Sequence, residues 1–339
     1  MAETILIWGA GAIGGTLGAY WARAGIDVLM VDINAEHATV CSTDGLTIEG
    51  PVDTFKQVVP ATTPDQVTGT YARIVLAVKA QDTAAALVQL APHLADDGFV
   101  LSAQNGLNEM RISESLSVQQ TMGCFVNFGA DWHAPGTILF GNRGAVVVGE
   151  LDGRTLKRTH EMLALLRIFE PDAVLSENIW SFLWGKLGYG AMLFGTALTN
   201  DSMSANFADR SRMKVWIALG REVMAVARAR NVDPTGFNGF DPAAFMPGAD
   251  EELAAQSIAN LAEFNRHTAK THSGIWRDLA VRKRDTEVDA QVALVADLGK
   301  QSGIACPALR CLVALIHDIE QGRREQSLET LEMLAEECT

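Results

Sequence analysis

Residues 5–15 read ILIWGAGAIGG, four apolar residues running straight into a glycine-dense turn. The apolar run predicts a short buried strand, and the residues from Ala12 predict a helix that stops on Gly25. Gly9, Gly11 and Gly14 stand in the spacing G-x-G-x-x-G. Alone the pattern is common. Between a strand and an amphipathic helix it is the fingerprint of a dinucleotide-binding turn. The first glycine permits the tight turn, the second lets a pyrophosphate approach the backbone, and the third lets helix and strand pack closely. The N–H groups at the helix start, Ala12 and Ile13 among them, would then face the anion. A glycine-rich turn without a ligand is the alternative.

Working outward, DVLMVD predicts the next strand and ends on Asp32, eighteen residues after Gly14. An acid there accepts hydrogen bonds from the adenosine ribose and repels a 2′-phosphate. No Lys or Arg follows in residues 33–40, so NAD is favoured and NADP is the alternative. An ordinary strand-end acid opening a turn would look the same. The stretches GLTIEG and FKQVV predict a small β insertion. RIVLAVK predicts a buried strand ending on Lys79, and Asp82–Leu94 has helical spacing. GFVLSAQNG predicts a strand followed by Asn105, and TMGCFVNFGA, GTILFG and AVVVGE predict further β segments. Strands alternating with helices imply a parallel sheet, hence an α/β Rossmann domain over 1–175. Groups at the carboxyl ends of such strands point at the ligand crevice. Lys79 and Asn105 are therefore candidates for the cofactor, and Asn105 for the substrate as well. A strand-end lysine can also simply reach solvent, and Asn-Gly is also an ordinary turn pair.

From about Asn178 the pattern becomes helical. Ile179–Leu198, Met213–Arg230, Glu251–Thr268, Thr286–Ser302 and Leu309–Gln321 carry helical periodicity, and 231–250 reads as a Pro/Gly/Asn loop. An all-α helical domain over 176–339 is expected, with a ligand cleft between it and the first domain. Lys186 is the only charge between Glu177 and Asp201. In a helix that is apolar almost all round, a lysine must find a partner, snorkel or lose its proton. Lysine with its pKa pulled towards neutrality can protonate a developing alkoxide. Glu287 in VRKRDTEVDAQ and Ser273 in KTHSGIWRDL are, by local chemistry, a solvated acid and a cap serine.

Composition bounds the rest. The chain has 339 residues and a formal charge of −14. Such acidity disfavours nucleic acid and anionic membranes as partners. No apolar run reaches a membrane span, and MAETILIWG lacks the basic region of a secretory signal, so a cytoplasmic location is expected. Cys41, Cys124, Cys306, Cys311 and Cys338 form no zinc-ligand pattern. No metal is expected, and buried thiols are the simpler account.

The order and spacing of GAGAIGG, GLTIEGP, LAVKAQDT, AQNGL, LWGKL and SGIWRDLAVRKRDTEVD resemble the ketopantoate reductase family across nearly the full length. The resemblance implies reduction of a 2-oxo acid to a 2-hydroxy acid by hydride from a nicotinamide, or the reverse dehydrogenation. It implies Lys186 as general acid, Glu287 as support for the catalytic hydrogen bonds, and Ser273 at the substrate carboxylate. It puts Lys79 and Asn105 near the nicotinamide ribose and substrate. Two family asparagines expected against the substrate fall at Gly190 and Phe194 in this chain, which implies a substrate-binding wall of altered chemistry. Asp32 is a second departure, because the best-known members use NADPH. An NAD-preferring reductase of a different small carboxylate is thus the expectation. A true 2-dehydropantoate 2-reductase and a dinucleotide-binding regulator without turnover are the alternatives. A homodimer through the Met- and Trp-bearing helices is the expected assembly, although a buried core explains those residues equally well.

Overall fold

The run Ile5–Trp8 forms β1, and all of its residues are buried. Ile5 and Ile7 enter one apolar cluster while Leu6 and Trp8 enter another. Alternate side chains point to opposite faces of a strand, so both faces of the sheet are covered. The computed structural model describes residues 4–268 and 270–338.

The following strands are β2 (Val28–Val31), β3 (Leu46–Glu49), β4 (Phe55–Gln57), β5 (Ala61–Thr62), β6 (Tyr71–Leu76) and β7 (Leu94–Ser102). After them come β8 (Thr121–Val126), β9 (Gly129–Ala134), β10 (Thr137–Asn142), β11 (Val146–Glu150) and β12 (Val174–Leu175). Eight strands form one sheet in the order β12-β11-β8-β7-β6-β1-β2-β5, and the expected β insertion becomes a second sheet, β4-β3-β10-β9. The large sheet is mixed rather than purely parallel, because β11 runs antiparallel to β8. Between those two strands the chain passes through the antiparallel β9–β10 pair instead of a crossover helix. Parallel neighbours need a long crossover, and here there is none.

Helices α1 (Ala12–Arg23), α2 (Ala35–Thr43), α3 (Thr83–Leu90), α4 (Asn108–Ser115) and α5 (Lys157–Phe169) accompany the sheet. Gly25, at φ +81°, lies just past the cap of α1, as the glycine stop predicts. Trp21 Nε1 donates to Leu165 O at 2.7 Å and ties α1 to α5. Beside them Tyr20, Phe128, Phe140 and Phe169 form an aromatic cluster with centroids 4.6 to 6.1 Å apart.

The chain divides between Ile179 and Trp180 into two compact units. The second contains α6 (Ile179–Thr196, whose first residue belongs to the first unit), α7 (Met203–Ala208), α8 (Met213–Ala229) and α9 (Glu251–Arg266). It continues with α10 (Gly274–Arg277), α11 (Leu294–Gln301), α12 (Pro307–Glu320) and α13 (Leu328–Glu337). The expected helix over Thr286–Ser302 is a π turn, Asp289–Ala293, running into α11. A second π turn, Asp278–Arg282, follows α10. Among the described residues no helix is long and apolar enough to cross a membrane. All five cysteines are free, and only Cys311 is less than fully buried.

Candidate active site

Strand register gathers the candidates of the first unit. Trp8 pairs with Val31 and with Leu76, and Leu76 pairs with Ser102. The carboxyl ends of β1, β2, β6 and β7 therefore lie in one row. The segments leaving that row carry Gly9–Gly14, Asp32, Lys79 and Asn105. β2 and β5 lie on one side of β1, and β6 onward lie on the other. The glycine turn thus sits at a topological switch point, where open α/β sheets bind ligands.

The three glycines have different reasons to be glycine. Gly9 is at φ +101°, and a Cβ there would meet Val78 N at 2.7 Å. A Cβ on Gly14 would collide with Gly9 O and come within 2.9 Å of Ile7 Cγ2. Those two are required by the turn and by helix–strand packing. At Gly11 a Cβ would meet nothing within 4 Å. Among the described residues nothing demands a glycine there, whereas a pyrophosphate lying against the backbone would. No side chain caps α1 and no acid stands in its first turn. The N–H groups of Ala12 and Ile13 lie in that uncapped first turn, with the helix dipole favouring an anion. The residues present fit a dinucleotide.

Asp32 is half-buried past the end of β2, and its Oδ1 accepts from Asn34 N–H at 2.9 Å. Asn34 in turn caps α2 by accepting from His37 N–H. The turn therefore fixes the carboxylate. Next to it Ile33 is 87% exposed. An apolar side chain so placed suits the flat face of an adenine.

Lys79 is half-buried and Asn105 exposed. Between their loops lies a polar network that the sequence pattern does not single out. Gln104 Nε2 donates to Val78 O at 2.9 Å and to Thr83 Oγ1 at 2.8 Å. Thr83 Oγ1 donates to Asn108 Oδ1 at 2.9 Å, and Asn108 Nδ2 donates to Asn105 O at 2.6 Å. The chain of bonds runs from the residue before Lys79 to Asn105 itself, and Gly106 at φ +91° completes the turn. Buried amides and hydroxyls satisfied in this way rigidify what they connect.

In the helical unit the glycines around Lys186 separate in the same way. A Cβ on Gly185 would collide with Thr235 O, and one on Gly188 would lie 2.7 Å from Met224 Cε and 2.8 Å from Phe240 Cζ. These press α6 against its neighbours. Next to them Tyr189 Oη is hydrogen-bonded to Asn265, and burial pushes its pKa up to about 12. Lys186 and Gly190 are half-buried, one turn apart on one face. Among the described residues outside the α6 backbone, the one neighbour within 4 Å of the Cβ position of Gly190 is Gln291 Oε1, at 3.7 Å. Phe194, expected against the substrate, is instead fully buried and offers it no surface. Eight residues along an α-helix turn a side chain by about 80° from its starting face, here into the core.

Glu287 is half-buried just ahead of the π turn, and its carbonyl accepts from Gln291 N–H at 3.1 Å. Thr286 anchors it, donating its N–H and its hydroxyl to Glu320 Oε1, both at 2.7 Å. Ser273 is 4% exposed and caps α10, accepting from Trp276 N–H at 3.1 Å. Burial and the neighbouring Arg282 pull the nearby Lys270 below the usual lysine range. Asp278 holds Arg282 at 3.0 Å and Arg284 at 2.9 Å.

A glycine turn at the switch point of a doubly wound sheet, with a helical unit bearing a half-buried lysine, defines a nucleotide-dependent oxidoreductase architecture. The family model described as ketopantoate reductase PanE/ApbA matches residues 5–153, and the model for its C-terminal domain matches 178–320. The chain belongs to this family, and with it to the NAD(P)-dependent oxidoreductases acting on CH–OH groups. A 2-dehydropantoate 2-reductase of Mesorhizobium japonicum is 27% identical over 345 residues, covering 94% of this chain and 98% of that one. The crystal structure of a PanE/ApbA family ketopantoate reductase from Ralstonia eutropha JMP134 superposes with a TM-score of 0.78 at 25% identity, over 94% of this chain and 99% of the other. A ternary structure of D-mandelate dehydrogenase with NADH and anilino(oxo)acetate shares the fold, with a TM-score of 0.80 at 21% identity, over 94% and 99%.

Proposed function

We propose that this protein reduces a small 2-oxo acid to the 2-hydroxy acid with NADH, and that Lys186 is the general acid. When bound, the nucleotide supplies the hydride that the carbonyl carbon receives. Lys186 Nζ gives the proton that the carbonyl oxygen takes up, leaving a C–OH group and a neutral amine. Lys186 is half-buried on an otherwise apolar helix, and a positioned amine of this kind is a competent general acid. The observation that carries this reading is that Lys186, the only charge in the sequence between Glu177 and Asp201, is half-buried one turn from Gly190, where α6 leaves room beside it.

Glu287 orients the acid's hydrogen bonding, and Ser273 holds the carboxylate end of the substrate. Lys79 and Asn105 hold the nicotinamide ribose and the substrate. The pyrophosphate lies over Gly9–Gly14. NAD is preferred because the Asp32 carboxylate would face the added phosphate of NADP, and residues 33–40 offer no cation to neutralise it. The names of the relatives favour 2-dehydropantoate as a second candidate substrate.

Substitution of the acid tests the proposal. Lys186→Ala should lose about 10²–10⁴-fold in turnover while NADH binding, followed by its fluorescence, persists. Turnover within threefold of the parent contradicts the assignment.

A further inference from the structure

His37 is a fully buried side chain that ties the glycine turn to the second sheet. It stands on α2, the helix that Asn34 caps beside Asp32. Gly136 N–H, in the turn between β9 and β10, donates to its Nδ1 at 2.9 Å. Its Nε2 lies 2.9 Å from Ala10 O, in the middle of the glycine turn. A backbone N–H can only donate and a carbonyl can only accept, so Nδ1 is bare and Nε2 carries the proton. Neighbouring groups fix the ring. Trp132 packs edge-on with centroids 6.1 Å apart, and Cys41 Sγ, one turn along α2, lies 3.7 Å from Nε2. The turn at Gly136 is fixed as well. Its carbonyl accepts from Thr47 N–H at 2.8 Å, and a Cβ there would collide with Val40 Cγ1.

The Ala10–Gly11 peptide carries the effect further. It is trans, and in a planar trans peptide the C=O and N–H point in opposite directions. With Ala10 O held by His37, Gly11 N–H faces the other side of the turn. Gly11 is also the residue whose Cβ position meets no described atom within 4 Å. We infer that His37 is a positioning residue for the dinucleotide, which aims Gly11 N–H at the pyrophosphate by holding the Ala10 carbonyl. Hydrogen bonds in a chain polarise one another, so a carbonyl that accepts makes the N–H of its own peptide a better donor. The inference rests on the pyrophosphate lying over Gly9–Gly14.

Two variants that each keep one half of the imidazole's bonding test it. In His37→Gln the amide nitrogen stands where Nε2 stood and donates to Ala10 O. In His37→Asn the amide oxygen stands where Nδ1 stood and accepts from Gly136 N–H. Each loses one bond, so the two melting temperatures should fall to a similar degree. NADH binding to the full-length protein, followed by fluorescence without substrate, should separate them. His37→Gln should stay within about threefold of the parent dissociation constant, and His37→Asn should weaken NADH by about 10-fold or more. A merely structural histidine would change affinity equally in both variants or in neither, and either result overturns the inference. If His37→Asn does not fold, His37→Gln decides: parent-like affinity despite a lowered melting temperature supports the inference, and a loss of about 10-fold overturns it. Nitrogen NMR shifts of the parent should show the His37 ring protonated at Nε2 alone, and a ring protonated at Nδ1 overturns the inference. A parent that binds no NADH removes the dinucleotide reading itself, and the inference with it.

Discussion

The two units position their candidate residues by different means. In the first unit the backbone does it. Strand register puts Gly9–Gly14, Asp32, Lys79 and Asn105 on one edge of the sheet, and the turn is shaped by two glycines, Gly9 and Gly14, that tolerate no added atom. In the second unit, side chains on packed helices do it. Lys186 and Gly190 share a face of α6, and Gln291 Oε1 comes from another segment to the Cβ position of Gly190. A site made by backbone should fail through the fold when it is altered. A site made by side chains should leave the fold standing and change the chemistry or the choice of substrate.

The largest effect on stability should come from Gly14→Ala. Its Cβ collides with a backbone oxygen that cannot swing aside, so α1 must leave β1, at about 3 kcal/mol or more in urea unfolding. Gly11→Ala sharpens the contrast. Its Cβ meets no protein atom and its φ of −68° suits alanine, so stability should stay within about 0.5 kcal/mol. NADH affinity should fall by roughly 10-fold or more, because the methyl occupies the ground of the pyrophosphate. Equal loss of stability in the two variants would break the distinction.

Asp32→Ala comes next. It should weaken NADH by about 10-fold and leave NADPH as tight or tighter, since a charged hydrogen bond is worth about 1.5–3 kcal/mol. An unchanged ratio of the two dissociation constants rejects the NAD preference. The smallest effect on nucleotide use should follow Gln104→Leu, which removes the donor to Val78 O and Thr83 Oγ1. It should cost about 1–2 kcal/mol of stability and raise KM for the nucleotide. Wild-type KM in that variant would show that the network does not hold the Lys79 and Asn105 loops.

What the sequence shows follows the same division. Apolar runs and a glycine spacing report backbone geometry directly, so β1, α1 and the place of Asp32 are legible. The antiparallel entry of β11 is not, because it depends on β9 and β10 pairing with each other, and a strand's apolar run does not state its direction. Gln104, Thr83 and Asn108 look like loop and helix-start residues until their bonds are seen. On α6, spacing indicates that Lys186 and Gly190 share a face. The family resemblance puts Phe194 there as well, but the drift of the helix turns that ring into the core. Gln291 lies in a mixed-charge stretch and gives no signal in the sequence. It becomes visible through its burial and its place beside the Cβ position of Gly190.

The central claim, that this chain reduces 2-oxo acids and prefers NADH, is met most directly by one assay. The purified protein is mixed with NADH, or with NADPH, and a panel of small 2-oxo acids, and the loss of nicotinamide absorbance is followed. Oxidation of NADH with at least one acid, faster than oxidation of NADPH, is the predicted result. Tight NADH binding without oxidation by any acid on the panel would contradict the account.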